Sequence, residues 1–163
     1  MARPGLDSAV TLSVFDRLVD YEPRNSREAA LTRAQSVRQL KEAVRRDLEW
    51  LLNTRTIAEP PDSRLREVNR SVYVYGLPDF TAYSLASPED QSRLIRHLQN
   101  AIKTFDPRLD KVKVVPLEVN GANTRVLHFR IEALLLMDPA PEHISFDTTL
   151  QLTSGEYEVG NAG

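Results

Sequence analysis

Apolar residues recur at helical spacing in three segments of the chain, so the pattern predicts three helices. They cover residues 7–20, 33–53 and 87–105. The third helix is the best marked, because Ser87 is a good N-cap, Pro88 suits the first helical position and Pro107 stops the helix. Helices are therefore expected to dominate the first two thirds of the chain.

The last third of the chain alternates apolar and polar residues, which is typical of half-buried strands. The alternation runs through residues 111–119, 126–136 and 144–152. Residues 120–123 are predicted to form a hairpin turn. The alternation changes phase near Val115, just before Pro116, which indicates a bulge or an edge position. Residues 71–75 are a further, short strand candidate.

Three helices that border an antiparallel meander predict an α+β domain, with the N-terminal helices packed on a small, mainly antiparallel sheet. We place a flexible N-terminus at residues 1–6 and the domain at residues 7–153. Residues 154–163 hold three glycines and are expected to be a mobile tail or a last edge segment. As the last predicted strand, residues 144–152 are expected to form an open sheet edge.

Composition excludes several classes of protein. The 163 residues include no Cys, so disulfides, thiolate metal sites and Cys nucleophiles are ruled out. No apolar run reaches the roughly 20 residues of a membrane-spanning helix, and no secretion signal is visible, so a cytoplasmic location without membrane insertion is expected. A net charge of −2 argues against general binding of nucleic acid.

The sequence offers no converging catalytic or metal-binding set. Its three His residues do not fall at metal-ligand spacing, no glycine-rich phosphate loop opens a helix, and no Ser lies in a nucleophile elbow. Two carboxylates would suffice for glycoside hydrolysis, and the candidates are Glu49, Asp79, Asp106 and Glu132. A catalytic acid needs an apolar pocket, whereas Asp79 and Asp106 lie in turns beside prolines. We therefore expect no catalytic residue, no metal and no cofactor.

Three short motifs stand out as rigid places that could meet a partner. The corner Asp106-Pro107-Arg108 follows the third helix, and its proline would hold Arg108 outward at a partner surface. Trp50 falls off the centre of the apolar stripe of the second helix, and Tyr75 precedes a turn sequence. Both are residue types that anchor interfaces. The structural alternative is a helix-to-strand corner, a packing tryptophan and a core-edge tyrosine.

The order and spacing of these motifs resemble one family. The motifs are Arg46-Asp-Leu-Glu-Trp-Leu-Leu-Asn53, then Ser71 to Tyr75-Gly-Leu-Pro-Asp79, then Asp106-Pro-Arg-Leu109. They are similar to the gene-25-like baseplate wedge family, which includes the type VI secretion protein TssE, and the likeness covers residues 7–153. The family tripeptide is usually Glu-Pro-Arg, whereas this corner reads Asp106-Pro107-Arg108. The Glu-Pro-Arg at residues 22–24 lies in a charged loop, and we regard it as coincidental.

The resemblance implies a gene-25-like fold and a structural role in a contractile injection machine. Its implied partners are the wedge subunits TssF and TssG, and the sheath proteins TssB and TssC, which would add a strand to a sheet edge. The expected partner-binding residues are Asp106, Pro107, Arg108, Trp50 and Tyr75, with Asp147, Thr149 and Gln151 on the polar face of the expected edge strand. Two alternatives stay open: a regulatory adaptor that binds one soluble partner through a sheet edge, and a lysozyme-like muralytic enzyme.

Overall fold

A four-stranded antiparallel sheet forms one layer of the fold, and two long helices cover one of its faces. The computed structural model describes residues 9–19, 24, 31–84, 87–117, 126–151 and 153–161. The elements in chain order are α1 (Val14–Leu18), α2 (Arg33–Asn53), α3 (Pro88–Phe105), β1 (Leu109–Pro116), β2 (Val126–Leu135), β3 (Glu142–Gln151) and β4 (Glu156–Asn161). The strand order is β1-β2-β3-β4. The predicted α+β class, with helices on an antiparallel meander, is confirmed.

Local sequence explains where the two long helices begin. At the start of α2, the Thr32 hydroxyl accepts the Gln35 N–H and the Gln35 side chain accepts the Thr32 N–H, which is a capping box. At the start of α3, the Ser87 hydroxyl accepts the Asp90 N–H, and Pro88 occupies the first turn. The buried apolar stripes are Leu40, Val44, Leu48, Leu51 and Leu52 in α2, and Leu94, Leu98, Ala101 and Ile102 in α3.

Successive side chains of β2 and β3 point alternately to the face of the sheet that packs on the helices and to the open face. The buried residues are Leu127, Phe129, Ile131, Ala133 and Leu135 in β2, and Ile144, Phe146, Thr148 and Leu150 in β3. The register pairs Ile131 with Phe146 and Arg130 with Asp147, so apolar side chains meet on one face and polar ones on the other. A slip of one residue would turn the whole apolar set to solvent, which fixes this register.

The irregularity in β1 lies earlier than the sequence pattern indicates. The register with β2 shifts between Asp110 and Lys113, and Lys111 has a φ of 51°. The bulge therefore precedes the change of phase near Val115. Pro116 ends β1, an edge strand of the sheet, where a missing N–H costs no ladder hydrogen bond. The turn predicted at residues 120–123 and the N-terminus at 1–6 lie outside the described residues.

Residues 71–75 do not form the predicted strand. They hold a 3₁₀ turn, Val72–Val74, in which the Ser71 hydroxyl accepts the Tyr73 N–H. The segment belongs to a loop that is closed at its neck, where the Leu77 N–H donates to the Thr54 carbonyl (2.8 Å) and the Thr56 N–H donates to the Leu77 carbonyl (3.0 Å). This closure leads the chain back to the end of α2 and places Tyr75 beside α3.

The expectation that residues 144–152 form an open sheet edge is wrong. β4 pairs with β3 from Phe146 to Gln151. Residues 154–163 were expected to be either a mobile tail or a last edge segment, and most of them form this fourth strand. Side chains of α2 then occupy the outer edge of β4. The Asn53 amide donates to the Tyr157 carbonyl and accepts the Tyr157 N–H (both 2.9 Å), and Arg45 Nη1 donates to the Val159 carbonyl (3.0 Å). A partner strand therefore finds neither residues 146–151 of β3 nor the contacted positions of β4 free for pairing.

Candidate partner-binding site

Four of the expected partner-binding residues meet at one shallow pocket of about 200 Å³. Trp50 comes from the last turn of α2, Tyr75 from the loop neck, and Asp106 and Arg108 from the corner between α3 and β1. Leu48, Leu51 and Phe105 complete the apolar part of the wall, and Asp47 adds a carboxylate. Three motifs that are far apart in the sequence therefore form a single surface.

The corner is fixed by hydrogen bonds that the sequence Asp106-Pro107-Arg108 makes with itself. The Asp106 N–H ends α3 by donating to the Ile102 carbonyl (2.9 Å), and Asp106 Oδ1 accepts the Arg108 N–H (3.1 Å). This is the turn that an Asp side chain forms with the backbone two residues on. The Arg108 guanidinium then returns to the same carboxylate, with Nε on Oδ1 and Nη2 on Oδ2, both at 2.8 Å.

Arg108 is therefore turned back onto the protein, which corrects the expectation that it is presented outward. Its Nη2 also donates to Asp47 Oδ2 at 2.9 Å. Burial by itself would lower the pKa of Arg108, but the hydrogen bonds and attraction of Asp106 and Asp47 outweigh burial and raise it. Among the described residues, Nη1 of Arg108 has no hydrogen-bond partner. The guanidinium thus stays charged and keeps one donor group for another molecule.

Alternating charges continue from Arg108 along α2 to α1. Asp47 Oδ1 accepts from Arg46 Nε (3.1 Å) and Nη2 (2.9 Å), and Arg46 Nη2 lies 2.9 Å from Asp16 Oδ1. We call this chain of five side chains the ion ladder; its members are Asp106, Arg108, Asp47, Arg46 and Asp16. Three carboxylates and two guanidinium groups leave it one negative charge in excess. The pair of Arg108 with Asp106 is bidentate, and partly buried contacts of this kind hold side chains in one geometry.

Aromatic rings flank the ion ladder. The Arg46 guanidinium carbon lies 5.2 Å from the centroid of the Trp50 ring and 5.3 Å from that of Phe15, within reach of cation–π attraction. Trp50 is nevertheless 55% exposed. Tyr75 packs edge-on against Phe105, with ring centroids 5.1 Å apart. Its pKa is raised, first by burial and then by the carboxylates of Asp47 and Asp106.

The other expected residues lie elsewhere. Pro107 is exposed at the corner, next to the pocket. Asp147, Thr149 and Gln151 project from the open face of the sheet, away from the pocket. There Asp147 pairs with Arg130 (Nε to Oδ1, 2.6 Å) and the Thr149 hydroxyl lies 3.2 Å from His128 Nδ1. Thr149 and Gln151 line a separate depression of about 330 Å³ beside β4.

Sequence reasoning missed Asp47, Arg46 and Asp16. A signal existed for the first two, because they stand three and four residues before Trp50 and so share its side of α2. The link from Asp47 to Arg108 spans 61 residues and depends on how α2 meets the corner, which no local pattern encodes.

The structure brings no catalytic constellation together among the described residues. Of the carboxylates considered for hydrolysis, Asp106 is held by Arg108, Glu49 pairs with Arg45, and Asp79 and Glu132 are exposed. The described part of the chain holds no cluster of three or more His, Asp or Glu able to bind a metal ion. None of the helices in that part is long and apolar enough to cross a membrane.

The fold and the pocket describe a small α+β domain that carries a surface pocket with aromatic walls and charges that pair with one another. The chain belongs to the family of the baseplate wedge protein gp25, whose family model matches residues 38–140. This match spans all three motifs and confirms the resemblance; α1, β3 and β4 lie outside it. No curated protein matches the chain in sequence. A chain in a solved structure described as the baseplate complex from the type VI secretion system is similar, with 19% identity and a TM-score of 0.47, covering 77% of this chain and 97% of that one.

Proposed function

We propose that this chain is a TssE-like, non-enzymatic subunit of a type VI secretion baseplate, on the cytoplasmic side of the inner membrane. In this role it joins the wedge subunits TssF and TssG to the sheath and helps to start sheath polymerisation. Membership of the baseplate wedge family supports the structural role. The order of the three motifs, all inside the matched range, supports the TssE-like assignment.

The observation that carries the proposal is the convergence of Trp50, Tyr75, Asp106 and Arg108 on one pocket. Trp, Tyr and Arg are the residue types that contribute most to binding energy at interfaces. The half-exposed Trp50 ring offers apolar area, and Arg108 Nη1 offers a donor for a carboxylate or a carbonyl. We assign this pocket to the wedge subunits TssF and TssG.

Trp50→Ala should weaken co-purification with TssF and TssG by about tenfold or more while the domain stays folded, because much of the ring is in solvent before binding. The matched control is Tyr73→Ala. Tyr73 is 53% exposed, as Trp50 is 55% exposed, but it stands outside the pocket. Circular dichroism checks the fold of both variants. If both variants retain TssF and TssG equally, the pocket is not part of the interface. Capture of a single unrelated soluble protein would favour the alternative of a regulatory adaptor.

The sheath contact is assigned to the outer edge of β1, because α2 side chains occupy the outer edge of β4. The Leu117 N–H donates to the His128 carbonyl, so by alternation through the regular part of β1 the N–H and C=O groups of Val114 point away from β2. Among the described residues nothing pairs with them. The bulge at Lys111 and the missing N–H of Pro116 limit the usable edge to a short window, which excludes indiscriminate strand pairing.

Val114→Pro should abolish growth of sheath polymer from the baseplate while Val114→Ala leaves it largely intact. Both substitutions replace the buried, branched side chain of Val114, but only proline removes the outward N–H. Urea denaturation compares the stability of the two variants, and electron microscopy of assembled baseplates counts attached TssB/TssC sheaths. Equal sheath counts for the two variants would place the sheath contact away from β1.

A further inference from the structure

The short helix α1 turns its acidic side chain, Asp16, inward and its apolar side chains outward, while its other charged residue, Arg17, is exposed. The Asp16 side chain is only 10% exposed, whereas Val14 and Leu18 are 64% and 78% exposed. None of the residues of α1 is buried. Val10 and Leu12, just before α1, are partly buried against the core, whereas α1 itself buries little apolar surface and is held mainly by the polar contacts of Asp16.

Those contacts join the segment 9–19, which we call the N-terminal arm, to α2. Arg46 Nη2 pairs with Asp16 Oδ1, and the Arg46 guanidinium lies against the rings of both Phe15 and Trp50. Further along the arm, the Val10 N–H donates to Ser36 Oγ at 2.9 Å. Burial raises the pKa of Asp16, but hydrogen bonds from Ser13 and Arg46 outweigh it, so the net pKa is lowered and Asp16 is charged. Phe15 thus stands edge-on to Trp50, with ring centroids 6.5 Å apart.

The same contacts connect the arm to the pocket. One oxygen of Asp47 accepts from Arg46 and the other accepts from Arg108. Arg46 therefore divides its donors between Asp16 and Asp47. Without the Asp16 charge, Arg46 keeps Asp47 as its anchor, and we expect its position over Trp50, and with it the geometry of Asp47 and Arg108, to be less tightly held.

We propose that the N-terminal arm is a wall of the partner-binding site and that Asp16, acting through Arg46 and Asp47, is a positioning residue for Trp50 and Arg108. The inference rests on the proposed function, since it concerns the surface assigned to the wedge subunits. It adds residues that lie outside the range matched by the family model, 38–140. A partner segment that covers the whole site needs an apolar side chain facing Val14, Phe15 and Leu18, and an acceptor facing Arg108.

The test compares Asp16→Asn with Asp62→Asn in the full chain. Asp62 also pairs with an arginine, Arg64, but in an exposed loop outside the pocket. Trp50 is the sole tryptophan of the chain, so acrylamide quenching of its fluorescence reports directly on the cover that the arm gives. Asp16→Asn should increase quenching and weaken binding to purified TssF–TssG by about five- to tenfold, and Asp62→Asn should change neither.

Coupling to Arg108 is tested in an Arg108→Lys background. If Asp16 acts through Arg108, Asp16→Asn should there weaken binding by less than about twofold, because the geometry it supports is already lost. If Asp16→Asn and Arg108→Lys instead weaken binding independently, so that their fold-changes multiply, Asp16 is not a positioning residue for Arg108. Phe15→Leu is the second variant, in case Asp16→Asn unfolds the chain; Phe15 is largely exposed, and its loss should change quenching and binding in the same direction.

The outcomes separate this inference from the proposed function. Unchanged quenching in both variants, or increased quenching with unchanged binding, would show that the arm is no part of the site. If Trp50→Ala still weakens binding in that case, the proposed function stands without the inference. If none of Trp50→Ala, Asp16→Asn and Phe15→Leu weakens binding, the assignment of the pocket to the wedge subunits fails as well.

Discussion

Replacing Asp106 with Ala should lower the free energy of unfolding by about 3–5 kcal/mol, the usual cost of removing one partner from a buried ion pair. Asp106 is 4% exposed and accepts the Arg108 N–H, Nε and Nη2. Its removal leaves Arg108 with Asp47 alone, opens the turn that starts β1, and vacates a packed position at the end of α3. Urea denaturation followed by circular dichroism measures the change.

The chain contains its own matched control for this prediction. Asp62-Ser63-Arg64 repeats the spacing and the contacts of Asp106-Pro107-Arg108: the Arg64 N–H and Nε donate to Asp62 Oδ1, at 2.9 and 3.1 Å, and Arg64 also reaches Oδ2. That pair lies at the surface, where ion pairs contribute little because water screens them. Asp62→Ala should therefore change stability far less than Asp106→Ala. Equal losses of stability in the two variants would mean that burial does not explain the contribution of Asp106.

The departure from Glu-Pro-Arg has a physical explanation at this corner. A carboxylate at the position of Asp106 pairs with Arg108, which a longer Glu would also do. The shorter side chain additionally brings Oδ1 to the Arg108 N–H at 3.1 Å, a contact that favours Asp and Asn because of their length. Asp106 thus combines the ion pair with a local turn.

The elements with strong local signals were predicted correctly, and those that depend on distant contacts were not. The Ser87 cap, the start of α3 and the alternation of β2 and β3 are set by neighbours in the sequence. Residues 71–75 have the composition of a strand, but no other strand pairs with them in the described part of the chain, and hydrogen bonds at the loop neck hold them instead. Among the β4 residues whose burial is described, Tyr157 and Val159 are the buried ones, so the alternation is too short to predict a strand by itself.

The residues of the candidate site also divide into those with local contacts and those that depend on distant contacts. The pairing of Asp106 with Arg108 is local, and the sequence indicated the helix-to-strand corner in which it occurs as the structural alternative to an outward Arg108. Trp50 and Tyr75 were recognised as residue types, without any indication that they share a pocket. The ion ladder could not be predicted, because Asp16, Asp47 and Arg108 meet only when α1, α2 and the corner are packed together.

Gly76→Ala should cost about 3 kcal/mol of stability or more, and should also weaken binding to the wedge subunits. Gly76 has a φ of 109°, a conformation that costs other residues about 1–3 kcal/mol. A Cβ there would also lie 2.4 Å from the Thr54 carbonyl oxygen, the atom that accepts the Leu77 N–H and closes the loop neck. Relief of the clash must open this neck or move Tyr75, the residue next to it, out of the pocket.

The control for Gly76→Ala is Gly160→Ala on β4, since an added Cβ there has its nearest contact at 3.3 Å, the Asp147 carbonyl oxygen. Gly160 is exposed and lacks a positive φ, so Ala should change stability by less than about 1 kcal/mol. Urea denaturation gives both free energies, and co-purification with TssF and TssG is measured at a temperature where both variants are folded. A folded Gly76→Ala protein with full stability would mean that the loop neck is not tightly closed in solution. Reduced stability with unchanged binding would mean that Tyr75 is held by Phe105 and does not depend on the neck.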